Sequence, residues 1–269
     1  MPPDTEAAAA PPSFSTDLLA ALRQARHVLV FTGAGVSAES GIPTFRDALT
    51  GLWARFDAQQ LATAEAYQHD SALVWGWYEW RRMKIRRAQP NPAHRAIAAL
   101  AHKVPQLSLV TQNVDDLHER AGSVVIAHLH GEISKPLCFD CGLSTFFPND
   151  LPDEPEGGRR LEPPRCGTCG GPIRPGVVWF GEPLPPEDWA RAMDAARDAD
   201  IVISVGTSNL VYPAAEIPEL AARRGATVIQ VNPAATSMDR IAQHTLQGPA
   251  GIILPALVAA AFPPSRASI

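Results

Sequence analysis

Two Cys-x-x-Cys pairs, Cys138/Cys141 and Cys166/Cys169, account for all four cysteines of the 269-residue chain. Four thiolates complete a tetrahedral zinc shell. A closed shell has no position for water, so the expectation is a structural metal with no part in catalysis. The segment between the pairs, Gly142 to Arg165, exceeds the roughly 15 to 20 residues usual for such ribbons, which predicts a long, mobile loop. A redox dithiol is the competing reading, although two matched pairs would be superfluous for it. The string Gly33-Ala34-Gly35-Val36-Ser37-Ala38 fits the turn whose backbone amides approach a pyrophosphate, and on its own it fits an ordinary tight turn as well. Gln112, Asn113 and Asp115 follow one apolar run, and His130 follows another beside Gly131. Such residues either close turns or face a cleft, where a histidine titrating near neutrality serves as a general base. Tyr78 and Arg81 share a face if helical, and phenol with guanidinium can grip a carboxylate. With Arg82, Arg86 and Arg87 they could equally form a solvated basic face lying on tryptophans.

The elements that must position these groups are legible in the apolar pattern. Apolar, β-branched runs at 27–32, 107–111, 124–129, 201–205 and 227–231 read as strands, with helices expected over 15–26, 92–102 and 186–199. Ser15, Thr16 or Asp17 could cap the first helix. Strands apolar along their whole length and alternating with helices imply a parallel sheet covered on both faces. The fold class is therefore α/β: a doubly wound, parallel-sheet Rossmann-like domain, with a smaller inserted domain made of a helical module and a Cys₄ zinc ribbon. Residues 14–48, 88–135 and 173–269 are assigned to the first domain. Residues 49–87, which read as helical and hold Trp53, Trp75, Trp77 and Trp80, join 136–172 in the second. Residues 1–13, rich in Ala and Pro, read as a disordered tail.

Composition narrows the class of function. The chain is 46% hydrophobic with a formal charge of −5, so it has a sizeable core and no field that attracts nucleic acid or an anionic membrane. No apolar run reaches the roughly 18 to 20 residues of a membrane span, and the start lacks a signal-peptide pattern. The expectation is a soluble, cytoplasmic monomer.

Longer strings resemble one family. Gly33 to Arg46, reading GAGVSAESGIPTFR, resembles the first NAD-binding signature of sirtuins, as Gln112-Asn113-Val114-Asp115 resembles their nicotinamide-site motif. Arg174-Pro-Gly-Val-Val-Trp-Phe-Gly-Glu182 is similar to their substrate loop. The resemblance implies cofactor contacts from Gly33, Ala34, Gly35, Ser37, Phe45, Arg46, Gln112, Asn113 and Asp115. It adds Gly206, Thr207, Ser208, Asn232 and Ala250 on the adenosine side. It implies His130 as general base, Val178 as a backbone contact to substrate, and transfer of the acyl group of a modified lysine to ADP-ribose with release of nicotinamide. Desuccinylating sirtuins carry Tyr-x-x-Arg after a small pocket residue, matched by Ala62, Tyr78 and Arg81. This favours succinyl, malonyl or glutaryl lysine, with acetyl removal as a lesser activity. Predominant deacetylation, protein ADP-ribosylation and a non-catalytic zinc-ribbon module are the alternatives.

Overall fold

The computed structural model describes residues 12–44, 56–145, 154–155 and 157–263. The expected tail lies almost wholly outside these residues, as do Phe45, Arg46 and the middle of the loop between the cysteine pairs. In chain order the described elements begin with α1 (Thr16–Gln24), β1 (His27–Thr32) and α2 (Gly35–Ala38). A helical module follows, α3 (Ala58–Leu61), α4 (Ala64–His69) and α5 (Ser71–Arg87). Next come α6 (Pro92–Ala101), β2 (Gln106–Thr111), α7 (Leu117–Arg120) and β3 (Val125–His128). The short pair β4 (Leu137–Cys138) and β5 (Ile173–Arg174) brackets the ribbon. The chain then runs through α8 (Pro186–Asp198), β6 (Ile201–Val205), α9 (Glu216–Arg223), β7 (Thr227–Asn232), β8 (His244–Gln247) and α10 (Ala250–Ala261).

Six strands form one parallel sheet in the order β3-β2-β1-β6-β7-β8. Both faces are covered, which is why the central strands are largely apolar and buried on both sides. Val28 and Val30 of β1 point with Ile201, Ile203 and Val205 into a layer built with α1, α6 and α10. Leu29, Phe31 and Val202 point the other way, against Ala192, Ala196 and Ile217 of α8 and α9. Each of these buried Val, Leu, Ile and Phe side chains contributes about 1.5–3 kcal/mol. The chain leaves β1 for one side of the sheet and β6 for the other, so a crevice opens at their carboxyl ends.

The stretch read as helical over 49–87 holds, among its described residues, three helices. Thr63 Oγ1 accepts from the Ala66 amide at 3.1 Å and Asp70 Oδ1 from the Leu73 amide at 3.0 Å, so each starts a new helix. The edge strand β8 was not expected, because His244-Thr-Leu-Gln lacks an apolar run and leaves alternate residues exposed. A third buried cluster joins Leu61, Ala62, Tyr67 and Tyr78 of the helical module to Cys138, Cys166, Ile173, Val177 and Trp179.

Candidate active site

The glycine turn after β1 packs directly on the turn after β6. A Cβ on Gly33 would sit 2.8 Å from Thr207 Cβ, and one on Gly35 would sit 2.7 Å from Gly206 Cα. Gly206 itself has φ +61. The glycines therefore serve a backbone-to-backbone approach of two loops at the crevice, where no side chain fits. The half-buried amides of Ala34 and Ser208 donate to no acceptor among the described residues. Nearby, Asn209 buries a side-chain amide that finds no partner among them. Asn232 Nδ2 donates to the Thr207 carbonyl at 2.9 Å, and the Gly248 amide to the Asn232 carbonyl at 3.1 Å. Ala250 is buried at the start of α10, where Glu39 Oε1 receives the Gly251 amide at 2.8 Å. Free amides and an unpartnered carboxamide at a sheet switch point suit the phosphates and adenosine of a dinucleotide.

The segment after β2 links this edge to a polar network. Gln112 Nε2 donates to Thr207 Oγ1 at 3.0 Å. Asn113 Nδ2 donates to Ser37 Oγ at 3.1 Å, and Ser37 donates onward to Asp115 Oδ2 at 3.0 Å. The Leu117 amide gives Asp115 Oδ1 a second bond at 3.1 Å. Burial pushes the Asp115 carboxyl up, against these two donors. Behind Ser37 stands His94, a buried residue not singled out from sequence. Its Nδ1 accepts from the Asn91 amide at 3.3 Å, so Nε2 carries the proton toward Ser37 Oγ at 3.4 Å. Burial pulls His94 down to about 4, which keeps it neutral. Its only sequence signal was the Asn91-Pro92 helix start, three residues ahead.

His130 lies two residues past β3, in a turn where Gly131 has φ +74 and a Cβ would run into the Gly176 carbonyl. The expected strand end is thus a turn, forced by that glycine. His130 Nδ1 is 3.0 Å from the Gln112 carbonyl, which can only accept. The proton therefore resides on Nδ1 and Nε2 keeps its lone pair. Burial draws the imidazole below its usual 6.5. His118 and His128 are occupied elsewhere, His118 with Thr32 at 3.0 Å and His128 with Glu119 at 2.7 Å.

The segment carrying Val178 runs beside His130: the Val178 amide donates to the His130 carbonyl at 2.8 Å, and the Phe180 amide to the Ala62 carbonyl at 2.9 Å. The Val178 amide is thus taken within the chain. Ala62 is buried, and Tyr78 is buried with its hydroxyl 3.0 Å from the Trp179 indole nitrogen. The Arg81 guanidinium lies over Trp77 at 5.0 Å and Tyr78 at 5.8 Å. The side chain is partly buried, and burial lowers its pKa. Sequence reading also missed Arg174 and Glu182, which pair through bonds of 2.5 and 2.8 Å and brace this segment.

The four cysteine sulfurs lie within 4.8 Å of one another, with Cys138–Cys169 at 3.4 Å and Cys141–Cys166 at 3.9 Å. Four sulfurs about 2.3 Å from zinc would stand ~3.8 Å apart, so the quartet fits that ion.

The chain matches the family model described as the Sir2 family over residues 33–213. It is 61% identical over 247 residues to an NAD-dependent protein deacylase of Methylococcus capsulatus, covering 92% of this chain and 97% of that one. It is 58% identical over 244 residues to NAD-dependent protein deacylase 1 of Pseudomonas aeruginosa, covering 90% and 97%. The crystal structure of a Sir2 homologue in complex with NAD superposes with a TM-score of 0.84 at 43% identity, covering 93% of this chain and 95% of that one.

Proposed function

Because the chain belongs to the Sir2 family and is an NAD-dependent protein deacylase with a structural zinc site, we propose that it prefers lysines whose acyl group ends in a carboxylate, with His130 as its base. One observation carries the preference. Arg81 is partly buried, with its guanidinium over the Tyr78 and Trp77 rings. A guanidinium beside a phenol suits an acyl group that ends in a carboxylate, as succinyl, malonyl and glutaryl do, where acetyl ends in a methyl. Ala62 keeps the wall beside it small.

The residues divide the work by position. Bound NAD supplies the ribose carbon that the acyl oxygen attacks as nicotinamide leaves. The turns at Gly33 to Gly35 and Gly206 to Ser208 hold the dinucleotide through backbone amides, Asn232 and Ala250 border its adenosine, and Phe45 and Arg46 complete the site by resemblance. Asp115, fixed by Ser37 and Leu117, orients the nicotinamide carboxamide, with Gln112 and Asn113 shaping the same wall. His130 Nε2 takes a proton from a ribose hydroxyl, and its Nδ1–H stays on the Gln112 carbonyl throughout. The substrate lies as an added strand on the Val178 carbonyl, a contact that tolerates many sequences. The small domain of residues 49–87 and 136–172 carries the acyl pocket, and the enzyme acts as a monomer on proteins, with no nucleic-acid partner. Among the described residues, no helix is long and apolar enough to cross a membrane. A cytoplasmic enzyme is the reading consistent with this.

The test compares matched succinyl-lysine and acetyl-lysine peptides, with and without NAD, for nicotinamide release. Succinyl turnover is expected to require NAD, to vanish in His130→Ala, and to fall at least tenfold in Arg81→Met while acetyl turnover holds. Better turnover of acetyl peptide by the wild type would overturn the preference.

A further inference from the structure

Besides the backbone bond from Phe180 to Ala62, the substrate-loop segment meets the acyl pocket through a side-chain bond, from the Trp179 indole to Tyr78. Indole N–H can only donate, so at 3.0 Å the Tyr78 oxygen must be the acceptor. That fixes the direction of the phenol. Burial pushes Tyr78 up to about 12, so its own proton is retained, and no acceptor for that proton is present among the described residues. A buried O–H aimed at nothing is costly, and the group that relieves it is an acceptor arriving with the substrate.

We propose that Trp179 is a specificity-determining positioning residue: by donating to Tyr78 it commits the phenol to act as a hydrogen-bond donor to the acyl carboxylate. The inference rests on the acidic-acyl reading above. A carboxylate is acceptor-only, so it answers both the Tyr78 O–H and the Arg81 fork; an acetyl methyl answers neither and leaves the O–H unpaired.

The indole is held for this task from every side. The Arg174 guanidinium stacks 3.5 Å over its ring, and that guanidinium is bound by Glu182 and, at 2.9 Å, by the Val177 carbonyl. Glu182 Oε2 also takes the Trp179 amide at 2.8 Å. The Tyr67 ring packs against the indole at 5.3 Å, and the whole side chain is 1% exposed. The neighbouring residues Val178 and Phe180 are tied to His130 and Ala62. Trp179 therefore sits in the segment that meets the peptide while its side chain sets the polarity of the pocket that reads the acyl end.

The experiment is a double-mutant cycle on the ratio of succinyl to acetyl kcat/KM, using Trp179→Phe, Tyr78→Phe and the pair. Trp179→Phe is expected to lower succinyl kcat/KM about tenfold, chiefly through KM, with acetyl kcat/KM changed less than about twofold. In the Tyr78→Phe background the same substitution should leave the ratio unchanged. If Trp179→Phe lowers both substrates equally, or its effect on the ratio persists undiminished without the Tyr78 hydroxyl, the proposal is overturned. If Tyr78→Phe and Arg81→Met leave the ratio at the wild-type value, the acidic-acyl reading itself fails; if they collapse it and Trp179→Phe does not, only the role of Trp179 fails. Should Trp179→Phe lower Tm beyond Tyr78→Phe, the cycle is repeated with 3-benzothienylalanine at 179, which keeps the ring shape and lacks only the N–H.

Discussion

His130, the proposed base, is set up by one bond and one environment. The Gln112 carbonyl fixes the Nδ1–H tautomer, and burial holds the imidazole below 6.5. Activity requires the neutral form, so kcat/KM should rise with pH through a midpoint under 6.5 and be flat above it. A limb centred above 6.5 would contradict this placement. Asp115 faces the same cleft and is pushed up by burial, so the profile is repeated in Asp115→Asn, where the acid limb assigned to His130 should remain. Gly131 is the companion residue, with φ +74 and the Gly176 carbonyl against its α-carbon. Gly131→Ala is expected to cost about 1–3 kcal/mol of stability. It should also depress succinyl and acetyl turnover alike, since it moves the base and leaves the acyl pocket intact. Thermal melting and the two-substrate assay read both effects.

At the scale of elements, α5 is the part whose placement matters most, and a strap from the ribbon holds it. The Leu161 amide donates to the Ala72 carbonyl at 2.9 Å, and Arg160 forks onto Asp70 with two bonds of 2.6 Å at the helix start. Gly76 lets the Arg159 carbonyl lie against the helix where a Cβ would collide with it. Gly76→Ala is therefore expected to destabilise by about 1–3 kcal/mol through overpacking. Arg160→Ala, which removes an exposed ion pair, should cost less than about 1 kcal/mol. Denaturant titration of the two variants separates a close backbone approach from surface charge as the fastening. The strands β1, β2, β6 and β7 were readable because burial on both faces writes itself as β-branched and apolar runs with few polar breaks, among them Ser108, Ser204 and Gln230. β8 was not, because an edge strand needs only alternate apolar residues, and the breaks between α3, α4 and α5 depended on single capping side chains. The site divides in the same way. Glycine spacing, the Gln112 to Asp115 cluster and the cysteine pairs are local in sequence and could be read. His94 behind Ser37 and the Arg174–Glu182 brace bring distant or unpatterned residues together, and only packing reveals them.

The molecule as a whole sets a large sheet, which holds the cofactor edge, against a small module whose core is continuous with its metal site. Cys138 is fully buried and Cys166 is 7% exposed, in one cluster with Tyr67, Tyr78, Ile173 and Trp179. Among the described residues the ribbon's own sheet is the short pair β4 and β5, so its hold on this cluster is expected to depend on the metal. Removing zinc should therefore act at a distance from it, through Ile173, whose carbonyl receives the Tyr67 hydroxyl at 2.5 Å, and through Trp179 above it. Chelation is expected to release one zinc per chain and to lower Tm on the order of 10 °C, or ~3–5 kcal/mol for a domain of this size. Deacylation of both substrates should be lost in step with the change in tryptophan fluorescence, and both should return when zinc is added back. NAD binding, proposed for the turns after β1 and β6 on the large sheet, should weaken far less. If the chelated protein kept its fold and its NAD affinity yet lost turnover at once, before any change in fluorescence, the metal would belong to the chemistry and the closed four-thiolate shell would be the wrong description of its role.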